Sequence, residues 1–290
     1  MKRGKESAMK LGVNTWVWVS PFTTGELHLL DKIARMGYDL VEIAVEDPAA
    51  IDAGALKRKL SDTGLGITLC GAFGPSRDIS NTDPELRTIG REYIEASLKL
   101  AEKLGCGVFS GPIYSAVGKT RMVTDEQRKR EWAYCVENMR ALAGLAQSCG
   151  VTVGVEPLNR FETDMINLVE QASALIAEVG SPVYKVHMDT FHANIEEKSV
   201  PAAIRKLGKG GLCHFHSCEN DRGAPGTGHQ DWTGIRDALK EVEYDGAVVI
   251  ESFTPGTLEI AKAASIWRPL APSQDELAEQ GLVFLRTLFA

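Results

Sequence analysis

Four side chains that can bind a metal ion recur at nearly regular intervals in the second half of the 290-residue chain. They are Glu156 in VTVGVEP, Asp189 in YKVHMD, His216 in LCHFHS and Glu251 in AVVIES, separated by 33, 27 and 35 residues. Each lies at or near the end of a short apolar run of the kind that forms a buried strand. Three carboxylates and one imidazole suit Mn²⁺, Co²⁺ or Mg²⁺. The spacing therefore predicts one divalent metal site built from these four residues.

The stretch CHFHSCENDR, residues 213–222, raises two other possibilities, a zinc site and a thiol nucleophile. Side chains alternate along a strand, so His214, His216 and Cys218 share one face and Cys213 lies on the other. The segment therefore cannot surround one zinc ion by itself. We expect His214, one layer deeper than His216, to be a hydrogen-bonded core histidine. Cys213 and Cys218 are expected to be small buried residues, because an acidic neighbourhood opposes a low-pKa thiol.

The elements that must position these residues follow a repeating pattern. Longer amphipathic stretches, such as 83–105, 124–150 and 167–180, separate the apolar runs and carry helix caps. A strand and a helix recur about every 30 residues, the size of one βα unit. Eight runs are candidate strands: 11–19, 40–45, 66–73, 107–114, 151–157, 184–189, 212–217 and 247–252.

Eight βα units in this length predict an α/β fold, a (β/α)8 TIM barrel that forms a single domain over residues 9–290. A doubly wound sheet is the main competitor, but the first strand is followed by SPFTTGELHLL, without a glycine-rich phosphate turn. Residues 1–8, MKRGKESA, are a possible N-terminal leader.

The carboxyl ends of the strands converge on one mouth of such a barrel, where active sites lie. Three further polar residues fall on loops at this mouth: Glu162, His192 and Arg222. Arg160 is expected to form an ion pair that fixes its loop. The glycine-rich segment 223–229, GAPGTGH, lacks the lysine and the helix start of a phosphate cradle, so it is weak evidence for phosphate binding.

Composition excludes several classes of protein. The net charge of −7 argues against a nucleic-acid binder, which would present a basic surface. No apolar run reaches the ~18–20 residues of a membrane helix. The six cysteines are scattered without a C-x-x-C pair, which favours reduced thiols in a cytoplasmic protein.

Several segments resemble, in order and spacing, the signature blocks of the ketose 3-epimerases. This group comprises D-tagatose, D-psicose (allulose) and L-ribulose 3-epimerases and belongs to the xylose-isomerase-like TIM barrel superfamily. The resemblance covers nearly the whole chain from Met9 and implies a (β/α)8 barrel, Mn²⁺ or Co²⁺ as the usual metal, and a homo-oligomer, either dimer or tetramer. The matching segments are EPLNRFE, MDTFHANIEE, HFHSCENDRGAPGTG, VIESF, GPIYSA and IWRPLAPSQDELAEQGLVFLR.

The resemblance also implies a reaction. The chain would interconvert the C3 epimers of a free ketohexose or ketopentose, with Glu156 and Glu251 as catalytic acid and base on opposite faces of the sugar. Removing the proton beside the C2 carbonyl gives a cis-enediolate, which a divalent metal stabilises. Two glutamates held in different protonation states suit this proton transfer.

Glu162, His192 and Arg222 match residues that hold the O1 to O3 end of the substrate in this group. Two departures concern the substrate. H-S-C-E (216–219) stands where many relatives have H-(I/L)-G-E, and YSAVGK lacks the tryptophan that tagatose-type enzymes carry after strand four. The metal and acid/base residues are therefore better supported than the identity of the sugar.

Other functions stay open at this point. A dehydratase, lyase or isomerase acting on a keto-cyclitol or a 3-keto glycoside would use the same metal and the same first proton abstraction. An aldose–ketose isomerase would need a lysine at the mouth, and none is obvious. A sugar-binding barrel without catalysis would lose one of the two glutamates, yet both are present.

Overall fold

The computed structural model describes residues 9–290, so the candidate leader at 1–8 lies outside the described residues. Eight parallel strands form a closed barrel in sequence order, and β1 pairs with β8 to complete it. The predicted single-barrel fold is confirmed. The strands are β1 Lys10–Asn14, β2 Leu40–Val45, β3 Gly66–Gly71, β4 Val108–Gly111, β5 Thr152–Val155, β6 Tyr184–Asp189, β7 Leu212–Ser217 and β8 Ala247–Ile250.

Helices surround the barrel, and local caps fix where they begin. The side chain of Asp83 accepts a hydrogen bond from the Glu85 amide, and that of Thr124 accepts one from the Gln127 amide. The helices are α1 His28–Met36, α2 Ala53–Thr63, α3 Pro84–Leu104, α4 Asp125–Ser148, α5 Val169–Val179, α6 Thr190–Glu196, α7 Val200–Leu207, α8 Trp232–Glu241, α9 Leu258–Ala263 and α10 Gln274–Phe289.

Several strands end some residues earlier than the apolar runs that predict them. The first run, 11–19, was expected to be one strand, but β1 ends at Asn14 because its side chain caps a 3₁₀ turn. The Asn14 carboxamide oxygen accepts from the Trp16 amide at 2.9 Å, which turns the chain out of the sheet. Strands β3, β4, β5 and β8 also end early, so that residues just beyond them, such as Phe73, Glu156 and Glu251, lie at the mouth of the barrel.

The hydrophobic core lies mainly between the barrel and its helices, where large side chains such as Phe109 and Phe215 are fully buried. The interior of the barrel is instead partly polar, since Glu42, His187 and His214 are buried as well. Burying such groups is costly unless they are paired, so a polar barrel interior points to a functional site. Within residues 9–290, we find no helix with the length and apolar character needed to cross a membrane.

Candidate active site

The structure brings the four predicted metal ligands together at the mouth of the barrel. Asp189 ends β6, His216 is the last residue but one of β7, and Glu156 and Glu251 directly follow β5 and β8. One ligand atom from each of the four lies within 4.8 Å of the others. Nδ1 of His216 lies 4.0 Å from Glu156 Oε1, 3.8 Å from Asp189 Oδ2 and 3.3 Å from Glu251 Oε1.

The chemistry of this cluster fits a divalent cation. Nδ1 of His216 is buried and has no hydrogen-bond partner among the described residues, although it faces three carboxylates. Three acidic side chains in a buried space repel one another, and the single positive charge of Arg222, which bonds Asp189 and Glu251, offsets only part of their charge. Carboxylate oxygens with one imidazole nitrogen are the donors that Mn²⁺, Co²⁺ and Mg²⁺ accept.

The two glutamates of the cluster lie in different electrostatic environments. Burial, together with the nearby Glu251 carboxylate, raises the pKa of Glu156 well above its usual range. For Glu251, burial also acts to raise the pKa, but His216 and Arg222 outweigh it and the pKa is lowered. The site therefore favours a proton on Glu156 and a negative charge on Glu251.

Arg222 lies inside this cluster. Its Nη1 donates to Asp189 Oδ2 at 2.6 Å and to Glu251 Oε2 at 2.8 Å, and its Nη2 lies 3.0 Å from His192 Nε2. The guanidinium also stacks over the ring of Phe191, 4.2 Å from its centroid. Arg222 has a positive φ of 70°, a conformation that is uncommon for non-glycine residues and is often found at active sites. The residue expected to bind substrate thus also holds two of the predicted ligands in place.

Glu162 and His192, the other two residues expected to bind substrate, are joined by Asn159. The Asn159 backbone amide donates to Nδ1 of His192 at 3.1 Å, and its side-chain amide donates to Glu162 Oε1 at 2.8 Å. Burial, reinforced by the positive charge of Arg222, lowers the pKa of His192 to about 3, so its ring is neutral. Burial raises the pKa of Glu162.

A cavity of ≈ 520 Å³ opens above the cluster, within the range of small-molecule sites. All three predicted substrate residues, Glu162, His192 and Arg222, line it beside Glu156 and Glu251. Its remaining walls are largely apolar and aromatic. They include Trp16, Phe73, Val117, Leu158, Phe253 and Ile260.

A family model described as Xylose isomerase-like TIM barrel matches residues 30–288. The chain belongs to this family. A D-psicose 3-epimerase of Ruminiclostridium cellulolyticum is 33% identical over 92% of both chains. An L-ribulose 3-epimerase of Mesorhizobium japonicum is 31% identical, over 95% of this chain and 93% of its own.

Among solved structures, the barrel is similar to that of a D-allulose 3-epimerase from Methylomonas sp. in complex with D-allulose. The TM-score is 0.90, with 29% identity over 97% of both chains. The resemblance to ketose 3-epimerases is therefore confirmed. So is the predicted enzyme class, an isomerase of the carbohydrate epimerase type.

Sequence reasoning missed Glu42, which lies in β2 beneath the cluster of predicted metal ligands. Its Oε1 lies 2.6 Å from His216 Nε2 and accepts from Asn14 Nδ2 at 2.9 Å. Its Oε2 lies 2.6 Å from His214 Nε2 and accepts from Thr68 Oγ1 at 3.0 Å. The sequence signal that could have found Glu42 is its place as the single acidic residue in the apolar run LVEIAV.

The other residues of the 213–222 stretch lie largely where alternation placed them. His214 is buried with Nε2 2.6 Å from Glu42 Oε2, but neither ring nitrogen forms a hydrogen bond among the described residues, so the expected hydrogen bond is not found. Cys218 is buried with its Sγ 3.6 Å from Asp189 Oδ1. Burial, with the Asp189 charge, raises the pKa of Cys218 well above its usual range, which opposes a thiolate nucleophile. Cys213, expected to be buried, is only partly buried, and its Sγ contacts the backbone carbonyl of Val186.

The glycine-rich loop 223–229 is folded around a buried carboxylate. Glu219 accepts from the backbone amides of Gly226 at 2.8 Å and Gln230 at 3.3 Å, and from Trp232 Nε1 at 2.5 Å. Amides of this loop are already bonded to protein, namely those of Gly223, Gly226, Thr227 and His229. Outside this loop, Arg160 forms the expected ion pair, with Glu196 at 2.9 Å.

Proposed function

We propose that this chain is a metal-dependent ketose 3-epimerase that interconverts the C3 epimers of a free ketohexose or ketopentose. The observation that carries the proposal is the pair of buried glutamates, Glu156 and Glu251, in one ligand cluster at the floor of a sugar-sized cavity. Relatives named as D-psicose and L-ribulose 3-epimerases support the same reaction.

The proposed cofactor is one divalent cation, Mn²⁺ first, with Co²⁺ or Mg²⁺ as alternatives. Glu156, Asp189, His216 and Glu251 would hold it, because they fit its preferred donors. A cation bound there supplies Lewis-acid stabilisation for the negative charge that develops beside the substrate carbonyl.

The proton transfer is assigned to the two glutamates. The carboxylate of one removes the C3 proton, which is acidic because it adjoins the C2 carbonyl, and leaves a cis-enediolate. The protonated glutamate on the other face of the sugar returns a proton to C3 and inverts it. The protein groups around the two glutamates differ: burial and Glu251 raise the pKa of Glu156, whereas His216 and Arg222 lower that of Glu251, so the two carboxyl groups differ in proton affinity.

The remaining residues are assigned to orientation. Arg222 bonds Oε2 of Glu251 and thereby restricts that carboxylate. Glu162 and His192, joined through Asn159, would hold the O1 to O3 end of the sugar over the glutamates. Holding the reacting carbon near both glutamates lowers the entropy cost of the reaction.

A cytoplasmic location and a homo-oligomer, dimer or tetramer, stay predictions of the sequence. The ring of Trp267 in the segment IWRPL is 75% exposed, which gives an interface one aromatic anchor to bury.

The test of this proposal is product analysis with the purified protein and Mn²⁺ or Co²⁺. Tagatose, fructose, psicose, sorbose and ribulose are incubated separately and the products are resolved by chromatography and mass spectrometry. We expect at least one sugar to give its C3 epimer with unchanged mass. The less favoured alternative, a dehydratase or lyase acting on a keto-cyclitol or a 3-keto glycoside, gives a UV-absorbing enone that has lost water or its leaving group.

A further inference from the structure

Glu42 is a fully buried carboxylate at the centre of the barrel interior, and it contacts four side chains from three other strands. Oε1 accepts from Asn14 and lies 2.6 Å from His216 Nε2, while Oε2 accepts from Thr68 and lies 2.6 Å from His214 Nε2 without a hydrogen bond to that nitrogen. A carboxylate with a hydrogen-bond partner on each oxygen has little freedom to rotate, because movement leaves buried polar groups without a partner.

The contact with His216 bears on which ring nitrogen faces the carboxylate cluster. Nε2 of His216 lies 2.6 Å from Glu42 Oε1, whereas Nδ1 faces Glu156, Asp189 and Glu251. An imidazole that donates Nε2–H to a carboxylate keeps its lone pair on Nδ1. A carboxylate in that position also makes the other nitrogen a better ligand.

We propose that Glu42 is a positioning residue that fixes the ring of His216, so that Nδ1 is the ligand atom offered to the divalent cation. This inference rests on the proposed metal site. Glu42 is not itself a ligand in the proposed set, and it does not line the cavity in which the sugar would bind. Its effect is therefore on metal affinity, and on activity only through the metal.

The experiment measures Mn²⁺ affinity by calorimetric titration, with no sugar present, for the wild-type chain and Glu42→Gln. We expect Glu42→Gln to weaken Mn²⁺ binding about 10–100-fold, the usual effect of losing the hydrogen-bond partner of a ligating histidine. The matched control is Thr68→Val, which removes a donor to Oε2 of the same carboxylate and leaves Oε1 on His216. Its affinity should stay within about twofold of wild type.

A second variant and a spectroscopic readout separate positioning from folding. Glu42→Asp keeps the negative charge but moves the carboxylate away from His216. If circular dichroism shows that Glu42→Gln is unfolded, the affinity of Glu42→Asp is compared with wild type instead. Electron spin echo modulation from the imidazole ¹⁴N on bound Mn²⁺ should be present in wild type and weaker in both variants. A folded Glu42 variant with the Mn²⁺ affinity and the ¹⁴N modulation of wild type would overturn the proposal. A loss of Mn²⁺ affinity in Thr68→Val as large as that in Glu42→Gln would overturn it as well.

The same titration distinguishes this inference from the proposed function. A wild-type chain that binds no divalent cation would overturn the metal site and the role of Glu42 together. A wild-type chain that binds Mn²⁺ and epimerises a ketose, beside a Glu42→Gln variant with unchanged affinity, would overturn the role of Glu42 alone.

Discussion

At the scale of single residues, the site depends on how a few buried charges are paired. Asp189 and Glu251 share the guanidinium of Arg222, whereas no Arg or Lys of residues 9–290 bonds Glu156, which lies near the carboxylates of Glu251 and Asp189. A low-dielectric environment makes this difference large, because buried charges are screened little by water. One glutamate is therefore set to carry a proton and the other to accept one.

Glu156→Gln and Glu251→Gln are each expected to lower kcat by at least about a thousandfold while the protein stays folded. Each substitution removes a proton-transfer group and also one charge from the ligand cluster. The assay is ketose epimerisation under saturating Mn²⁺, with the metal content of each variant measured beside its rate.

The control for these variants is Glu137→Gln, an equally conservative change at an exposed position of α4. It should leave both rate and metal content unchanged. A Glu156 or Glu251 variant that keeps its metal and most of its activity would remove that residue from the mechanism.

The cluster of the four proposed metal ligands could be predicted from sequence because each residue closes an apolar run, and parallel strands place such ends at one mouth. Glu42 could not be assigned in the same way. All six residues of β2 are buried, so alternation of polar and apolar residues does not reveal which face is interior. The contacts of Arg222 with Asp189 and Glu251 join loops and strands far apart in sequence, which only the closed barrel brings together.

At the scale of elements, a buried charge network fixes the loop between β4 and α4 beside the site. Glu131 of α4 is 1% exposed and accepts from Arg121 Nη2 at 2.8 Å, while Lys119 lies 2.8 Å from Asp78 Oδ2. Arg121 also contacts Asp164 at 3.0 Å on the loop after β5. Two loops that flank the cavity are thereby fixed relative to α4.

Glu131→Gln is expected to destabilise the protein by about 1–3 kcal/mol at pH 7, because a buried charged acceptor of Arg121 is lost. Urea unfolding of the two proteins measures the difference. Glu137→Gln, on the exposed face of the same helix, should change the free energy of unfolding by less than about 0.5 kcal/mol. A Glu131→Gln variant as stable as wild type would show that the charge of Glu131 in this network adds nothing to the free energy of unfolding.

The stabilising effect of Glu131 should also depend on pH. Burial alone would raise its pKa, but hydrogen bonds from Arg121 and Gln127 outweigh burial and lower it to about 2. A folded-state pKa below the unfolded value of ~4.3 stabilises the protein above that pH. The difference in stability between wild type and Glu131→Gln should therefore shrink as pH falls from about 4.5 towards 2. A difference that is constant between pH 7 and pH 3 would contradict this assignment.

Sequence predicted the helices at 83–105 and 124–150 to within two residues at either end, because caps and periodicity are local signals. It did not predict α9, Leu258–Ala263, a six-residue helix without a side-chain cap. So short a helix is stable only through packing. Ala261 and Ile260 of α9 pack in a cluster with Trp16 and Phe253 at the cavity wall.

At the scale of the whole molecule, the cavity and the overall charge are suited to a neutral sugar. The chain carries a net charge of −7. Two cationic residues of the described part of the chain line the cavity: Arg222 is buried and already bonded to two carboxylates, and Lys262 is exposed. The glycine-rich loop that could have bound phosphate is bonded to Glu219. Away from Lys262, an added phosphate would thus meet acidic and apolar walls.

Phosphorylated ketoses are accordingly expected to be poorer substrates than the free sugars. We expect kcat/KM for a ketose 6-phosphate to be at least about tenfold below that of the same free ketose, a difference of about 1.4 kcal/mol. Parallel assays at equal ionic strength measure the ratio. A phosphorylated sugar that reacts as well as the free one would show that the cavity holds a phosphate site.

The central claim, proton exchange at C3 between two glutamates, is tested most directly by following deuterium in D₂O. A free ketose that reacts with the Mn²⁺ or Co²⁺ enzyme is brought to equilibrium, and the position of the label is read by NMR. Exchange between the glutamates and water predicts deuterium at C3 in both the remaining substrate and the product. Deuterium at C1 or C2 would indicate an isomerase, and loss of a hydroxyl would indicate a dehydratase. No label at C3 in tagatose, fructose, psicose, sorbose or ribulose would contradict the account.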